Sequence, residues 1–192
     1  SSVEKDPENM QARFSLAQIY EVKRDTDAAL AAYLAILDRD SRNVALLNHV
    51  GEMLFLRDDV DQARELFGRA KSLMPTNSAT CLWLALLAEH QQDYAGAVAQ
   101  IKDSAALEGE ASLNLRLSYY LTQDNRLKEA VEVLEAAHVK WPKNEELGYF
   151  LALGYDDLKL TVKAVRLMNE VLALRPDHRD ARFQLGAMYE KE

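Results

Sequence analysis

The chain repeats itself every 34 residues, and no other feature restricts its fold as tightly. Pro7 to Pro75 is 68 residues, twice 34; Pro142 to Pro176 is 34, and Pro75 to Pro142 is 67, or 34 plus 33. Ser41 and Gly109 occupy the two vacant slots of this ladder, both tolerable where a helix must stop. A second ladder is Ala29, Ala63, Ala97, Ala130 and Ala164, spaced 34, 34, 33 and 34. A third is Leu16, Val50, Leu84, Leu117, Leu151 and Leu185, each followed by a small residue: Ala17, Gly51, Ala85, Ser118, Ala152 and Gly186. The one missing residue falls after Gly109, in a connection, where a deletion disturbs little packing.

Each copy reads as two helices. From Val44 to Arg57 the apolar residues Leu47, Val50 and Leu54 recur at helical spacing, Asp58-Asp59 breaks the pattern, and Asp61 to Lys71 resumes it. Met74-Pro75-Thr76-Asn77 then ends the unit with a proline that cannot continue a helix and an asparagine suited to cap the next. The small residue of the first helix and the alanine of the second predict a close crossing. A bulky residue at Gly51 or Ala63 would overpack it, costing about 1–3 kcal/mol.

Leucine then a small residue, tyrosine three further on, alanine, an aromatic, alanine and proline, at a period of 34, resembles the tetratricopeptide-repeat family. Copy one carries Leu16-Ala17, Tyr20, Ala29 and Tyr33; copy two carries Val50-Gly51, Ala63, Phe67, Ala70 and Pro75; copy six carries Leu185-Gly186 and Tyr189. The resemblance implies an all-α, right-handed superhelical solenoid of antiparallel helix pairs, about five and a half repeats in one array over residues 3–192. The expected repeats are 10–43, 44–77, 78–110, 111–144 and 145–178, with a lone first helix at 179–192. Copy three lacks the closing proline, and copy five replaces the polar turn with Leu158-Lys159-Leu160-Thr161, which leaves its helix boundary open. Val3-Glu4-Lys5-Asp6-Pro7 reads as the last turn of an earlier second helix, and residues 186–192 stop where another is due. The expectation is a piece of a longer array whose last helix exposes Leu185 and Tyr189 and self-associates through residues 179–192.

Composition excludes several functions. Hydrophobic residues make up 48% and charged residues 28% of the chain, a globular balance. The longest apolar run, Cys81 to Ala88, is far short of the roughly 20 residues a membrane helix needs. A net charge of −8 with no lysine- and arginine-rich run argues against nucleic acid and anionic membrane surfaces. A soluble chain of the cytoplasm or periplasm is expected. The single cysteine, Cys81, excludes an internal disulfide and sits where a thiol is buried and inert. There is no glycine-rich phosphate loop and no HExxH. His49, His90, His138 and His178 lie in different repeats; even the neighbouring pair His49 and His90 has no evident third metal ligand. Asp156 and Asp157 are adjacent on a helix and so point about 100° apart, as an acidic lip does and an acid–base pair does not. No catalytic residue, metal or cofactor is assigned.

The apolar run raises its own question. Leu84, Leu87 and Ala88 face their own repeat, so Leu82 and Leu86 must point elsewhere, since two residues along a helix turn about 200°. In the resembled family this other face lines a concave groove for peptides or partner helices. The same offsets give the candidate groove: Phe14, Asn48, His49, Glu52, Phe55, Leu82, Trp83, Leu86, His90, Leu115, Arg116, Tyr119, Tyr149, Phe150, Leu153, Asp156 and Phe183. Gln18, Glu21, Leu56, Asp157 and Gln184 flank it. This is an apolar, aromatic middle with an acidic rim and one central arginine; whether Trp83 meets a partner or its neighbour in the next repeat stays open.

Some members of the resembled family clamp acidic chaperone tails with lysine, arginine and asparagine. Here those offsets hold Asn48, Glu52, Trp83, Ser112 and Arg116, where Glu52 repels and Trp83 blocks a carboxylate; the alternative start, Phe14, Gln18, His49, Ala79 and Trp83, is worse. The expected role is a protein-interaction scaffold holding a segment with apolar anchors and some basic residues. The alternatives are a substrate-recruiting or regulatory arm of a larger enzyme, such as a glycosyltransferase, and a self-associating assembly module.

Overall fold

The computed structural model describes residues 10–190, with the side chains of residue 103 and residues 105–108 outside that description, and all eleven elements among the described residues are α-helices. They are α1 (Met10–Val22), α2 (Thr26–Leu37), α3 (Val44–Leu56), α4 (Val60–Leu73), α5 (Ser78–His90), α6 (Tyr94–Glu108), α7 (Ala111–Gln123), α8 (Leu127–Lys140), α9 (Glu145–Asp157), α10 (Thr161–Leu174) and α11 (Arg179–Glu190). The turn expected at Val3–Pro7 and the final two residues lie outside the described residues.

Four of the first helices, α3, α5, α9 and α11, start on a side chain at a fixed place in the repeat. Asn43 Oδ1 accepts from the Leu46 amide at 3.0 Å, Asn77 Oδ1 from Thr80 at 2.9 Å, Asn144 Oδ1 from Leu147 at 3.0 Å, and His178 Nδ1 from Ala181 at 3.3 Å. Each satisfies an amide that has no partner inside the helix. Glu110 holds the equivalent slot before α7 without such a bond.

The first helices α1, α3, α5, α7 and α9 also end in the same way, on one residue in the left-handed region: Arg24 (φ 59°), Asp58 (68°), Gln92 (59°), Asn125 (59°) and Lys159 (62°). The amide of the next residue reaches back five positions, from Asp25 to Tyr20, Asp59 to Leu54 and Asp93 to Ala88 at 2.9 Å, and from Arg126 to Leu121 and Leu160 to Tyr155 at 2.8 Å. This bonding closes the helix and turns the chain into the second helix of the pair. It settles the boundary left open in copy five. α9 ends at Asp157 and α10 begins at Thr161, with the same backbone geometry as the polar turns.

The chain divides into two compact units, one up to Leu87 and one from Ala88. In the first unit the ladder residues Ala17, Ala29, Val50 and Ala63 are fully buried, packed with Tyr33, Leu47 and Phe67. A Cβ placed on Gly51 would lie 2.6 Å from Phe67 Cε1, so the glycine is what lets α3 rest on that ring. In the second unit Leu117, Leu134, Leu147, Leu151, Met168 and Met188 are buried. The small-residue rule relaxes at the end: nothing lies within 4 Å of a Cβ on Gly186. On α11, Tyr189 is exposed as expected, but Leu185 is half-buried against the second unit's core.

Gly51→Ala should destabilise the chain by about 1–3 kcal/mol, because the Phe67 ring cannot yield without disturbing the core. Gly68→Ala, with nothing within 4 Å, should instead gain about 1 kcal/mol of helix propensity; urea denaturation of both variants checks the opposite signs. Lys159→Gly should raise stability by roughly 1 kcal/mol by relieving a left-handed lysine, and Asn125→Gly by less, measured the same way.

Candidate functional site

In the first unit the candidate groove residues are largely tied to one another. Phe14 stands edge-on to Tyr33 with ring centroids 5.6 Å apart, and Tyr33 stands edge-on to His49 at 5.2 Å. Tyr33 donates its hydroxyl to Glu21 Oε2 at 2.5 Å, while His49 Nε2 lies 3.0 Å from Glu21 Oε1. Burial, and then the Glu21 carboxylate, push the Tyr33 hydroxyl well above its ordinary pKa. Glu52, Leu82 and Leu86 are half-buried.

Asn48 is a correction. It is buried, its Nδ2 donates to Asn77 Oδ1 at 3.2 Å, and its Oδ1 accepts from Thr80 Oγ1 at 2.9 Å. The physical reason is that a buried amide needs both kinds of partner, and the start of α5 supplies them through its cap Asn77 and its first-turn Thr80. Trp83 is likewise occupied. It stacks on Phe67 at 5.7 Å with an interplanar angle of 4° and takes the edge of Phe55 at 5.9 Å. Cys81 is fully buried, and Lys71 Nζ donates to its sulfur at 2.9 Å.

The second unit brings candidates together. Leu115, Arg116, Tyr119, Phe150 and Leu153 line one cleft of about 710 Å³ bounded by the end of α5 and by α7, α8 and α9. Its floor comes from the second helix α8, through Leu127, Ala130, Val131 and Leu134, and Ser118, Thr122 and Gly154 complete the walls. None of these α8 and small residues came from the first-helix offsets. The available signal was Gly154, a glycine at a repeat position that holds Leu87, Tyr120 and Met188 elsewhere.

Charge in the cleft is unevenly answered. Arg116 Nη1 lies 3.6 Å from Glu89 Oε2, which also accepts the Tyr120 hydroxyl at 2.7 Å. Burial first, then this bond to Glu89, raise the Tyr120 pKa. Glu146 and Asp157 also line the cleft; both are exposed, and neither has an ion-pair partner among the described residues.

The remaining candidates fall elsewhere. His90 is exposed in the last turn of α5. Tyr149 lies 4.9 Å from the His178 ring and meets the edge of Phe150 at 5.3 Å. Asp156 is a second correction: its position on the helix turns it inward and buries it, so the acidic lip is Asp157 alone of the pair. Phe183 is 74% exposed on α11, outside the cleft. No helix among the described residues is long and apolar enough to cross a membrane.

A profile of the tetratricopeptide-repeat family matches residues 2–44 and 22–78. Among solved structures, MamA is similar over 88% of this chain and 93% of its own, at 19% identity and a TM-score of 0.74. YrrB, described as a tetratricopeptide-repeat protein with an unusual peptide-binding site, is similar over 95% of both chains at 18% identity and a TM-score of 0.74. MamA from Desulfovibrio magneticus RS-1 is similar over 90% of this chain and 98% of its own, at 14% identity and a TM-score of 0.72. At these identities the likeness shows the fold, an all-α solenoid of helix pairs.

The ring contacts of Trp83 make a prediction about stability. Trp83→Ala should lose on the order of 3 kcal/mol in chemical denaturation, as removal of a packed aromatic does. A change near zero would mean the ring is not held between Phe55 and Phe67.

Proposed function

We propose that this chain, a tetratricopeptide-repeat protein, is an interaction scaffold that holds an apolar segment of a partner protein in the cleft of its second unit. The observation that carries this reading is the convergence of five inner-face candidates, Leu115, Arg116, Tyr119, Phe150 and Leu153, on one concavity. Its volume of about 710 Å³ is within the usual range for ligand sites, roughly 300–1,000 Å³. Tyr119 and Phe150 are each 42% exposed, so both rings have surface left for a partner to cover. Burying one such aromatic against a ligand contributes about 1.5–3 kcal/mol.

Charge narrows the partner. With Arg116 beside Glu89, the cleft presents the carboxylates of Glu146 and Asp157 to whatever enters it. A segment with apolar anchors and basic flanks suits it, and an acidic tail does not. The peptide-binding site described for YrrB gives the fold a precedent for such binding, though not the residues. No chemistry is assigned to the cleft; its work is recognition.

The test is to pan a display library of peptide segments against the chain and measure the enriched segments on a Tyr119→Ala/Phe150→Ala variant. Binding should fall at least about tenfold, or ~1.4 kcal/mol, with helicity by circular dichroism unchanged. Enriched segments that bind the variant as tightly as the parent chain would sink the reading.

A further inference from the structure

The cleft has a counterpart one repeat earlier that is already filled. Tyr120 follows the ladder residue Leu117 by three, and its side chain is fully buried, with its hydroxyl on Glu89. In the next repeat the residue three after Leu151 is Gly154, and in the one after that the residue three after Leu185 is the fully buried Met188. Glu89 itself maps, 33 residues on, to Thr122. Gly154 and Thr122 both line the cleft. By repeat position, the cleft wall thus carries a glycine where the preceding repeat has Tyr120, and a hydroxyl where it has the acceptor carboxylate.

Resting on the scaffold reading above, we infer that this slot takes an aromatic side chain of a partner peptide, placed as Tyr120 is placed in its own repeat, with basic residues of the same peptide at either end of α9. Gly154 and Asp157 are three residues apart, about 5 Å along the helix, so a lysine or arginine adjacent to the aromatic meets Asp157. Glu146 and Asp157 are eleven residues apart, about 16 Å, a span that roughly five residues of extended peptide cover. The recognised chemistry is an aromatic residue with one cation beside it and a second about four residues away on its other side. Arg116 does not oppose these cations, since its guanidinium lies against Glu89.

The probe is the capped peptide Lys-Ser-Gly-Ser-Phe-Lys, together with its reversed sequence, added to the full isotopically labelled chain and followed by amide NMR shifts. The expected result is saturable shifts at Thr122, Val131 and Gly154, weakened tenfold or more when alanine replaces the phenylalanine or glutamate replaces both lysines. Gly154→Leu would fill the slot but would drive into Val131 Cγ2, 2.7 Å from the added Cβ, and can fail to fold. Thr122→Trp, at an exposed rim position, blocks the slot from outside and should abolish the shifts with the fold intact. Shifts confined to first-helix surfaces away from Thr122 and Gly154 would overturn this inference while leaving the scaffold reading standing. Equal binding of the alanine peptide would overturn it as well. So would cleft shifts that grow with protein concentration alone and vanish in Phe183→Ala, since the occupant would then be a second copy of the chain.

Discussion

The close crossing of two helices within a repeat is the contact from which the rest of this structure follows. At Gly51 the backbone of α3 comes so near the Phe67 ring that even a methyl group would sit 2.6 Å from it. Helices in such contact have little freedom to slide, because a packed interior resists both voids and overlap. The same small-against-alanine pairing recurs at Ala17 and Ala29, and at Ala152 and Ala164, all fully buried. Once that crossing is fixed, the outward directions of the remaining first-helix residues are fixed too. The left-handed residue between the helices serves the same end. A lysine or arginine there is strained by about 1–2 kcal/mol, and the backbone bonds on either side of it hold it in place.

The ladders were legible in the sequence because each answers to one steric requirement that repeats. The turn was only half legible. Asp58-Asp59 looked like a break because it is polar, whereas Leu158-Lys159-Leu160 makes the same turn without that polarity. What the turn requires is a single left-handed backbone conformation and a reach-back bond, and composition is an indirect sign of both. Asn48 and Asp156 were misplaced for a related reason. A helical offset gives a direction, but not whether a polar partner waits there, and the partners of Asn48 lie 29 and 32 residues away.

The apolar run of α5 is now accounted for by two sets of contacts. Cys81, Ala85 and Leu87 are buried, and Trp83 is held between Phe55 and Phe67 of the preceding repeat. A helix apolar on more than one face is what stacking demands, since it must cover its own partner and also the repeat before it. Aromatic residues on an inner face are therefore poor evidence of binding by themselves. Phe14 and Trp83 found neighbours and Phe183 is exposed away from any cleft, whereas Tyr119 and Phe150 combine exposure with a place on the wall of a cleft.

A repeat array presents nearly equivalent slots, so a site for one ligand has to come from a departure among them. Here the departure is subtraction. Tyr120 fills its slot and ends on Glu89; one repeat later a glycine and a threonine stand at those positions, and the α8 side chains beneath become the floor of a cleft. Val131 limits the space beside Gly154, because its Cγ2 lies 2.7 Å from where a Cβ on that glycine would be. The exposed carboxylates of α9 form no ion pair among the described residues, and in the proposed complex they would set the charge of the incoming segment.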